Sequence, residues 1–186
     1  MNNRKVGIIG VGHVGAHVAY SLAIQGIVDE LVLVDTNTVR VESEYQDLLD
    51  ALPHMPHRVR VSIGEYEDLA DCDLIINSVG QIELLIGGTE RSRELKFTVP
   101  AVRTWVERVR KTGFDGVVLS ISNPCDVVTR EIDKGLGLPK GRVLGTGTGL
   151  DSARLVTQIV KQTDVDPNSI QAFMFGEHGN SMFAAW

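Results

Sequence analysis

The chain alternates short apolar runs with longer segments in which apolar residues recur every three or four positions. The short runs are rich in β-branched residues and predict strands, whereas the longer spacing predicts amphipathic helices. The predicted strands lie at residues 6–9, 31–34, 59–63, 74–76 and 117–121, and the predicted helices at 14–25, 41–52, 94–111 and 126–134. Strands that are apolar on both faces and alternate with helices are typical of a doubly wound, mostly parallel α/β sheet. We expect this sheet to span residues 1–146.

Composition limits the partners and the compartment. The 186 residues are 43% hydrophobic, which is enough for one well-cored domain and part of a second, and the net charge of −6 argues against a nucleic-acid partner. Cys72 and Cys125 lack metal-site spacing, so we interpret them as buried thiols of a reduced compartment and expect no metal. No run approaches the ~18 apolar residues of a membrane span, and residues 1–5 leave no room for a signal peptide. We therefore expect a cytoplasmic protein without membrane contact.

A glycine-rich turn follows the first predicted strand and opens the first predicted helix: Gly10-Val11-Gly12-His13-Val14-Gly15. Gly10 permits a tight turn, Gly12 lets the backbone approach a pyrophosphate, and Gly15 allows close packing of helix on strand. The helix N-terminus then faces the anion. This context predicts a Rossmann-type dinucleotide site in which Gly10, Gly12, His13, Val14 and Gly15 contact the cofactor.

Asp35 lies twenty residues after Gly15, at the end of the second predicted strand. A carboxylate there accepts hydrogen bonds from the adenosine ribose hydroxyls and repels a 2′-phosphate, and the neighbouring Thr36 and Asn37 supply no arginine. NAD is therefore predicted in preference to NADP. The alternative is a glycine-rich turn of another α/β protein with an aspartate at a strand end.

Ser122-Asn123-Pro124 follows the strand predicted at 117–121, which places a side-chain amide where ligands of such sheets bind. Asn123 is thus a candidate contact to nicotinamide or substrate. The alternative is that Asn-Pro only ends the strand and begins a turn.

Asp151, Arg154 and His178 are the remaining candidates. Asp151 and Arg154 are three residues apart at the start of a helical segment and share one face, and His178 ends a short apolar strand within Gly176-Glu177-His178-Gly179. Taken alone, the pair could be an N-cap with an i+3 arginine, and the histidine could be structural.

Together these motifs resemble the L-lactate and L-2-hydroxyisocaproate dehydrogenase family over the whole chain. The segments that carry the resemblance are residues 10–15, Ser122-Asn123-Pro124, Leu150-Asp151-Ser152-Ala153-Arg154 and Gly176-Glu177-His178-Gly179-Asn180. Residues 94–98, residues 145–148 and Asn180, where lactate enzymes usually have aspartate, are more similar to the hydroxyisocaproate branch.

The resemblance implies the roles of the site residues. His178 would exchange the proton of the substrate hydroxyl, and Asp151 would orient its ring and stabilise the protonated form. Arg154 would bind the substrate carboxylate through two parallel hydrogen bonds. Arg91 would be the arginine of a closing loop that binds substrate and polarises its carbonyl; the alternative for Arg91 is an exposed arginine at a helix start, and neighbouring Arg93 is a second candidate.

The loop at residues 81–86 carries the substrate prediction. Its only charge, Glu83, would repel a second carboxylate, and Leu84, Leu85 and Ile86 could cover an apolar side chain. We expect a branched or bulky 2-oxo or 2-hydroxy acid such as 2-hydroxyisocaproate, with L-lactate as the alternative; the three apolar residues could instead pack on their own protein. Val156 and Gln171 occupy the positions at which an arginine and a histidine hold a sugar bisphosphate in some lactate enzymes, so we predict no such activation.

The resemblance also implies a longer parent protein. The chain ends at Trp186, shortly after the histidine motif, so residues 147–186 are expected to be only the beginning of an α+β substrate domain. Relatives of this kind imply a homo-oligomer, a dimer or a tetramer, at full length. A competing hypothesis is a dinucleotide-binding domain that turns nothing over.

Overall fold

A computed structural model describes residues 3–81 and 91–185, with side chains at all of these positions except 91–93. The strands are β1 Lys5–Ile9, β2 Glu30–Val34, β3 Arg60–Ile63, β4 Leu74–Asn77, β5 Val117–Ser120, β6 Val143–Gly145, β7 Phe173–Phe175 and β8 Phe183–Ala185. The helices are α1 His13–Gln25, α2 Thr38–Ala51, α3 Arg91–Lys111, α4 Cys125–Leu136 and α5 Gly149–Thr163.

Strands β1 to β6 form one sheet in the order β3-β2-β1-β4-β5-β6, and every neighbouring pair is parallel. Successive residues of a strand point to opposite faces, so the nearly continuous apolar runs of β1, β2 and β4 bury both faces. One core cluster packs against α3 and α4, and a second packs against α1 and α2. The predicted doubly wound α/β fold is confirmed.

The parallel arrangement brings four connections to one edge of the sheet. The glycine-rich turn leaves β1, Asp35 leaves β2, residues 78–81 leave β4, and residues 121–124 leave β5. Ligands of such sheets bind at the carboxyl ends of the strands, where the strand order reverses beside β1. The candidate cofactor residues therefore meet at this edge.

Several elements differ from the sequence prediction, and two of these differences have a clear local cause. Strand β6, Val143–Gly145, was not predicted because it has only three residues and two of them are exposed. Helix α2 begins at Thr38 rather than residue 41, because the Asn37 side chain accepts a hydrogen bond from the Arg40 backbone N–H at 3.0 Å and caps the helix.

The predicted burial of the two thiols is confirmed, since Cys72 and Cys125 are both free and buried. Burial raises the pKa of the Cys72 thiol to about 12. Among residues 3–81 and 91–185, no helix combines the length and the apolar character that a membrane crossing needs.

Beyond β6, helix α5 packs against a two-stranded antiparallel sheet of β7 and β8. Two hydrogen bonds join them: the Thr148 hydroxyl donates to the Met174 carbonyl at 2.6 Å, and the Met174 N–H donates to the Ser152 hydroxyl at 2.9 Å. The predicted apolar strand before His178 is thus β7, and it is anchored to the first turn of α5.

Candidate active site

The glycine-rich turn is shaped by close backbone contacts. Gly10 has φ +87°, and a Cβ there would lie 2.9 Å from the backbone of Ser78 and Val79. A methyl group at Gly15 would collide with the Gly10 carbonyl oxygen. The Ser78 hydroxyl donates to that same carbonyl at 2.6 Å. These contacts require glycine at both positions and leave the N-terminus of α1 facing the sheet edge.

The Asp35 carboxylate is fixed by two backbone donors. Its Oδ2 accepts from the Val11 N–H at 2.7 Å, and its Oδ1 accepts from the Asn37 N–H at 2.8 Å. The first bond ties the end of β2 to the glycine-rich turn. Each carboxylate oxygen can accept more than one hydrogen bond, so the fixed carboxylate can also accept from a pair of hydroxyl groups.

A cleft runs along the sheet edge between these residues. It consists of two adjoining cavities of about 410 Å³ and 380 Å³, which lie in the size range of small-molecule sites. Both cavities are lined by Gly12, Arg40, Ser78, Val79, Gly80 and Gln81. One end adds Asp35, Tyr66 and Phe97, and the other end adds His13, Val14, Ser122 and Asn123.

The chemistry of the cleft fits a dinucleotide. Gly12 has no side chain between the turn and the cleft, and a Cβ there would lie 3.7 Å from the Arg40 guanidinium. The carboxylate of Asp35 at one end suits ribose hydroxyls, and the amide of Asn123 at the other end suits a polar head. Burial raises the pKa of the nearby Tyr66 phenol, so this group stays neutral at pH 7.

Arg40 is a cleft residue that the sequence motifs do not single out, because the two residues directly after Asp35 are Thr36 and Asn37. It lies five residues beyond Asp35, and the first turn of α2 brings it back to line both cavities. A guanidinium between the two ends of the cleft can pair with phosphate oxygens. The N-cap signal of Asn37 could have placed this arginine in the first turn.

The buried side chain of Asn77 supports the segment that carries Asn123. The Asn77 side chain at the end of β4 is fully buried and donates to the hydroxyls of Ser120 at 3.1 Å and Ser122 at 2.9 Å. The Ser122 hydroxyl donates to the backbone carbonyl of Asn77 at 3.3 Å. These bonds join the ends of β4 and β5, and they hold the segment that carries Asn123.

His178, Asp151 and Arg154 come together at the start of α5. The Nδ1 atom of His178 lies 2.5 Å from Oδ2 of Asp151, and Nη1 of Arg154 lies 3.4 Å from the other carboxylate oxygen. The side chains of Asp151 and His178 are only 7% and 11% exposed, whereas that of Arg154 is 65% exposed. The spacing read from the sequence therefore corresponds to a buried carboxylate–imidazole pair with an adjacent exposed guanidinium.

This arrangement defines what the pair can do. A carboxylate only accepts, so the pairing places the hydrogen on Nδ1 of His178 and makes Nε2 the nitrogen that can exchange a proton with a ligand. Asp151 also stabilises the imidazolium that forms when Nε2 takes up a proton. The guanidinium of Arg154 has the planar geometry that binds carboxylates.

Two groups of predicted residues have no described side chains. Arg91 is the first residue of α3, and its side chain lies outside the described part, as does that of Arg93. Residues 82–90, which include Glu83, Leu84, Leu85 and Ile86, also lie outside it. Within the part that is described, no cluster of three His, Cys, Asp or Glu side chains is arranged to hold a metal ion.

Comparison with known protein families matches both parts of the chain. Residues 4–145 match the family model of the lactate/malate dehydrogenase NAD-binding domain, and residues 148–186 match that of the lactate/malate dehydrogenase α/β C-terminal domain. NAD is thus the cofactor of the domain to which residues 4–145 belong. The fit of the cleft to a dinucleotide agrees with this match.

Curated relatives and a solved structure that match the chain are all named L-lactate dehydrogenases. The chain is 42% identical over 184 residues to an L-lactate dehydrogenase of Fusobacterium nucleatum, covering 99% of this chain and 57% of that protein. It is 41% identical to L-lactate dehydrogenase 1 of Bifidobacterium longum, covering all of this chain and 58% of the relative. The ligand-bound structure of the minor L-lactate dehydrogenase from Enterococcus mundtii superimposes with a TM-score of 0.91 at 40% identity, over 99% of this chain and 58% of that one.

The chain therefore spans a little under three-fifths of the length of these relatives. The family matches cover almost all of it, and the structural match covers 99% of it. On this evidence the chain belongs to the lactate/malate dehydrogenase family.

Proposed function

We propose that the protein is an NAD-dependent L-2-hydroxy acid dehydrogenase, and that its substrate pair is L-lactate and pyruvate. The observation that carries this proposal is the 2.5 Å pairing of His178 Nδ1 with Asp151 Oδ2, in a chain that also builds a dinucleotide cleft. A cofactor cleft alone would suit many reactions. A paired histidine adds the proton exchange that reduction of a carbonyl requires.

The cleft residues hold the cofactor in this proposal. Asp35 accepts from the adenosine ribose, the turn Gly10–Gly15 with Arg40 receives the pyrophosphate, and Asn123 contacts the nicotinamide end. When bound, NADH supplies the hydride that reduces the 2-oxo carbon.

The second group of residues handles the substrate. Protonated His178 gives its Nε2 proton to the carbonyl oxygen, and in the reverse direction it takes the hydroxyl proton. Asp151 keeps the hydrogen on Nδ1 and stabilises the charged ring in the oxidative direction. Arg154 receives the substrate carboxylate, and Arg91 is proposed to polarise the carbonyl and help bind substrate. The reaction thus consumes one proton for each 2-oxo acid reduced.

L-Lactate is preferred over a branched substrate because the relatives named above are L-lactate dehydrogenases. The branched-acid prediction rests on residues 84–86, which lie outside the described residues, and on the similarity of residues 94–98, residues 145–148 and Asn180 to the hydroxyisocaproate branch. It stays a prediction. A homo-oligomeric, cytoplasmic enzyme, and the absence of activation by a sugar bisphosphate, likewise stay predictions.

The test is NADH oxidation followed by absorbance, with pyruvate, 4-methyl-2-oxopentanoate and oxaloacetate supplied separately to the chain and to any longer protein that contains it. A higher kcat/KM with pyruvate than with the other two acids supports the lactate assignment. A preference for 4-methyl-2-oxopentanoate would restore the branched-acid prediction. Tight NADH binding without turnover of any 2-oxo acid by the longer protein would leave only the dinucleotide-binding hypothesis.

A further inference from the structure

Two of the contacts that hold His178 come from different parts of the chain, one to its ring and one to its backbone. The ring pairs with Asp151 on α5, while the backbone N–H of His178 donates to Oδ2 of Asp126 at 3.0 Å. Asp126 lies in the first turn of α4, 52 residues earlier in the chain. The second contact therefore connects the histidine segment to the part of the chain that forms the large sheet.

The contact matters because Asp126 lies three positions after Asn123, which lines the cleft. The segment from Asn123 to Asp126 follows the end of β5. It carries the Asn123 amide, which lines the cleft, at one end and the Asp126 carboxylate at the other. Only two residues lie between Asn123 and Asp126. The carboxylate that holds the His178 backbone and the proposed contact to nicotinamide thus lie on one short segment, which is fixed at its start by β5 and the buried Asn77–Ser122 hydrogen bond.

The bond is charge-assisted, because a carboxylate accepts from a backbone N–H, and it lies at an exposed position where solvent screens it. It also acts on the backbone, so it fixes the position from which the ring extends, whereas Asp151 fixes the orientation of the ring. Proton transfer depends on both, because a displacement of about 1 Å can lower a rate about a hundredfold.

We propose that Asp126 is a positioning residue, which sets the distance between His178 and the cofactor cleft by holding the His178 backbone. This inference rests on the proposed function for its effect on turnover. Asp126 does not line either cavity of the cleft, so its substitution should act on kcat and leave the affinity for NADH unchanged.

The test compares Asp126→Ala with Asp126→Asn in the protein that shows turnover. Alanine removes the acceptor, whereas asparagine keeps an acceptor oxygen without the charge. Asp126→Ala is expected to lower kcat about 10- to 100-fold and to leave the Kd for NADH within about twofold. Asp126→Asn is expected to restore most of the rate. Asp133→Ala removes an exposed carboxylate from the same helix and serves as the matched control.

A second readout needs no turnover. Exchange of the His178 amide hydrogen with solvent should become about tenfold faster in Asp126→Ala, and stay near the wild-type rate in Asp126→Asn. The ¹⁵N shift of the His178 ring should also change in Asp126→Ala as the ring loses its fixed approach to Asp151. Thermal unfolding of each variant separates these local effects from a general loss of stability.

The outcomes separate the inference from the proposed function. Unchanged kcat in Asp126→Ala, or equal losses in the alanine and asparagine variants, would overturn the positioning role while turnover by the wild type upholds the dehydrogenase. If the wild type binds NADH without turnover, the proposed function fails. The inference is then decided by the amide exchange and the ring shift, and no change in either would overturn it.

Discussion

The part of the chain up to Gly145 and the part from Thr148 onward are stabilised in different ways. In the first part, apolar side chains on both faces of the sheet form two buried clusters. In the described portion of the second part, Ala172 is the one buried apolar residue, and Phe173, Phe175 and Phe183 are 54%, 49% and 61% exposed. Helix α5 buries the carboxylate of Asp151 rather than an apolar residue.

The difference indicates a division of work. The first part has a core that can hold the cleft in place without help from the second. The second part supplies the paired histidine, and the contacts that position it are mainly polar: Thr148 and Ser152 to Met174, and His178 to Asp126 and Asp151. Damage to the core should therefore remove every activity, whereas damage to the second part should remove turnover alone.

The largest loss is expected from Trp105→Ala. Trp105 lies on α3 and is fully buried in the core cluster that α3 and α4 share with the sheet. Truncation of a buried aromatic side chain costs about 3–5 kcal/mol of unfolding free energy. NADH binding should fall with stability. Urea unfolding followed by circular dichroism measures the change. The matched variant in the second part, Phe183→Ala, should cost less than about 1 kcal/mol. Equal losses in the two variants would contradict the difference in packing.

The next largest effect is expected from Asp151→Asn, which removes the acceptor charge from His178. Turnover should fall at least about 10²-fold, because a misoriented or uncharged ring is a poor acid and base. The Kd for NADH should not change. Asp164→Asn makes the same chemical change at the other end of α5, where the left-handed backbone tolerates asparagine. An unchanged turnover rate in Asp151→Asn would show that the charge of the Asp151 carboxylate is not needed for the reaction.

A smaller effect is expected in the cleft from Asp35→Asn. The substitution keeps an acceptor for the ribose but removes the charge that repels a 2′-phosphate. The ratio of Kd values for NADPH and NADH should fall by about tenfold, as measured by fluorescence titration. Glu42→Gln, an exposed position on α2, controls for net charge. If both variants change the ratio equally, the preference arises from overall charge rather than from Asp35.

The smallest effect is expected at an exposed ion pair on the first part. Arg4 donates to the Asp29 carboxylate and holds the pKa of that group well below its usual range. A lowered pKa stabilises the fold above the usual aspartate pKa, and this contribution is lost progressively as the pH falls from about 4 down through the lowered pKa. Arg4→Met should therefore lower the melting temperature slightly at pH 7 and by less at pH 2. Arg58→Met, at another exposed arginine, should show no such pH dependence.

The sequence predicted the first part well because its signals are strong there. The apolar runs of β1, β2, β4 and β5 permit few other interpretations, and the glycine-rich turn combined with Asp35 identifies the cleft. Strand β6 was not predicted because three residues, two of them exposed, carry no hydrophobic pattern; the strand forms by pairing with β5. Strand β8 was not predicted for a similar reason, since Phe183–Ala185 is equally short.

The candidate site was predictable only in part. The residues Asp151, Arg154 and His178 were found because the motifs resemble a family, and spacing alone left each with a structural alternative. Arg40 and Asp126 were missed, because each looks like an ordinary charged residue in the first turn of a helix. Their importance depends on contacts across the fold, 52 residues apart for Asp126 and His178, which no local pattern encodes.

The most direct test of the division of work is a single comparison of wild type and His178→Gln. Both the Kd for NADH and the rate of NADH oxidation by pyruvate would be measured on the same samples, with exposed His54→Gln as the control. We predict equal NADH affinity in all three proteins and at least about a hundredfold lower turnover in His178→Gln alone. Undiminished turnover in that variant, or a loss of NADH binding together with turnover, would contradict the account.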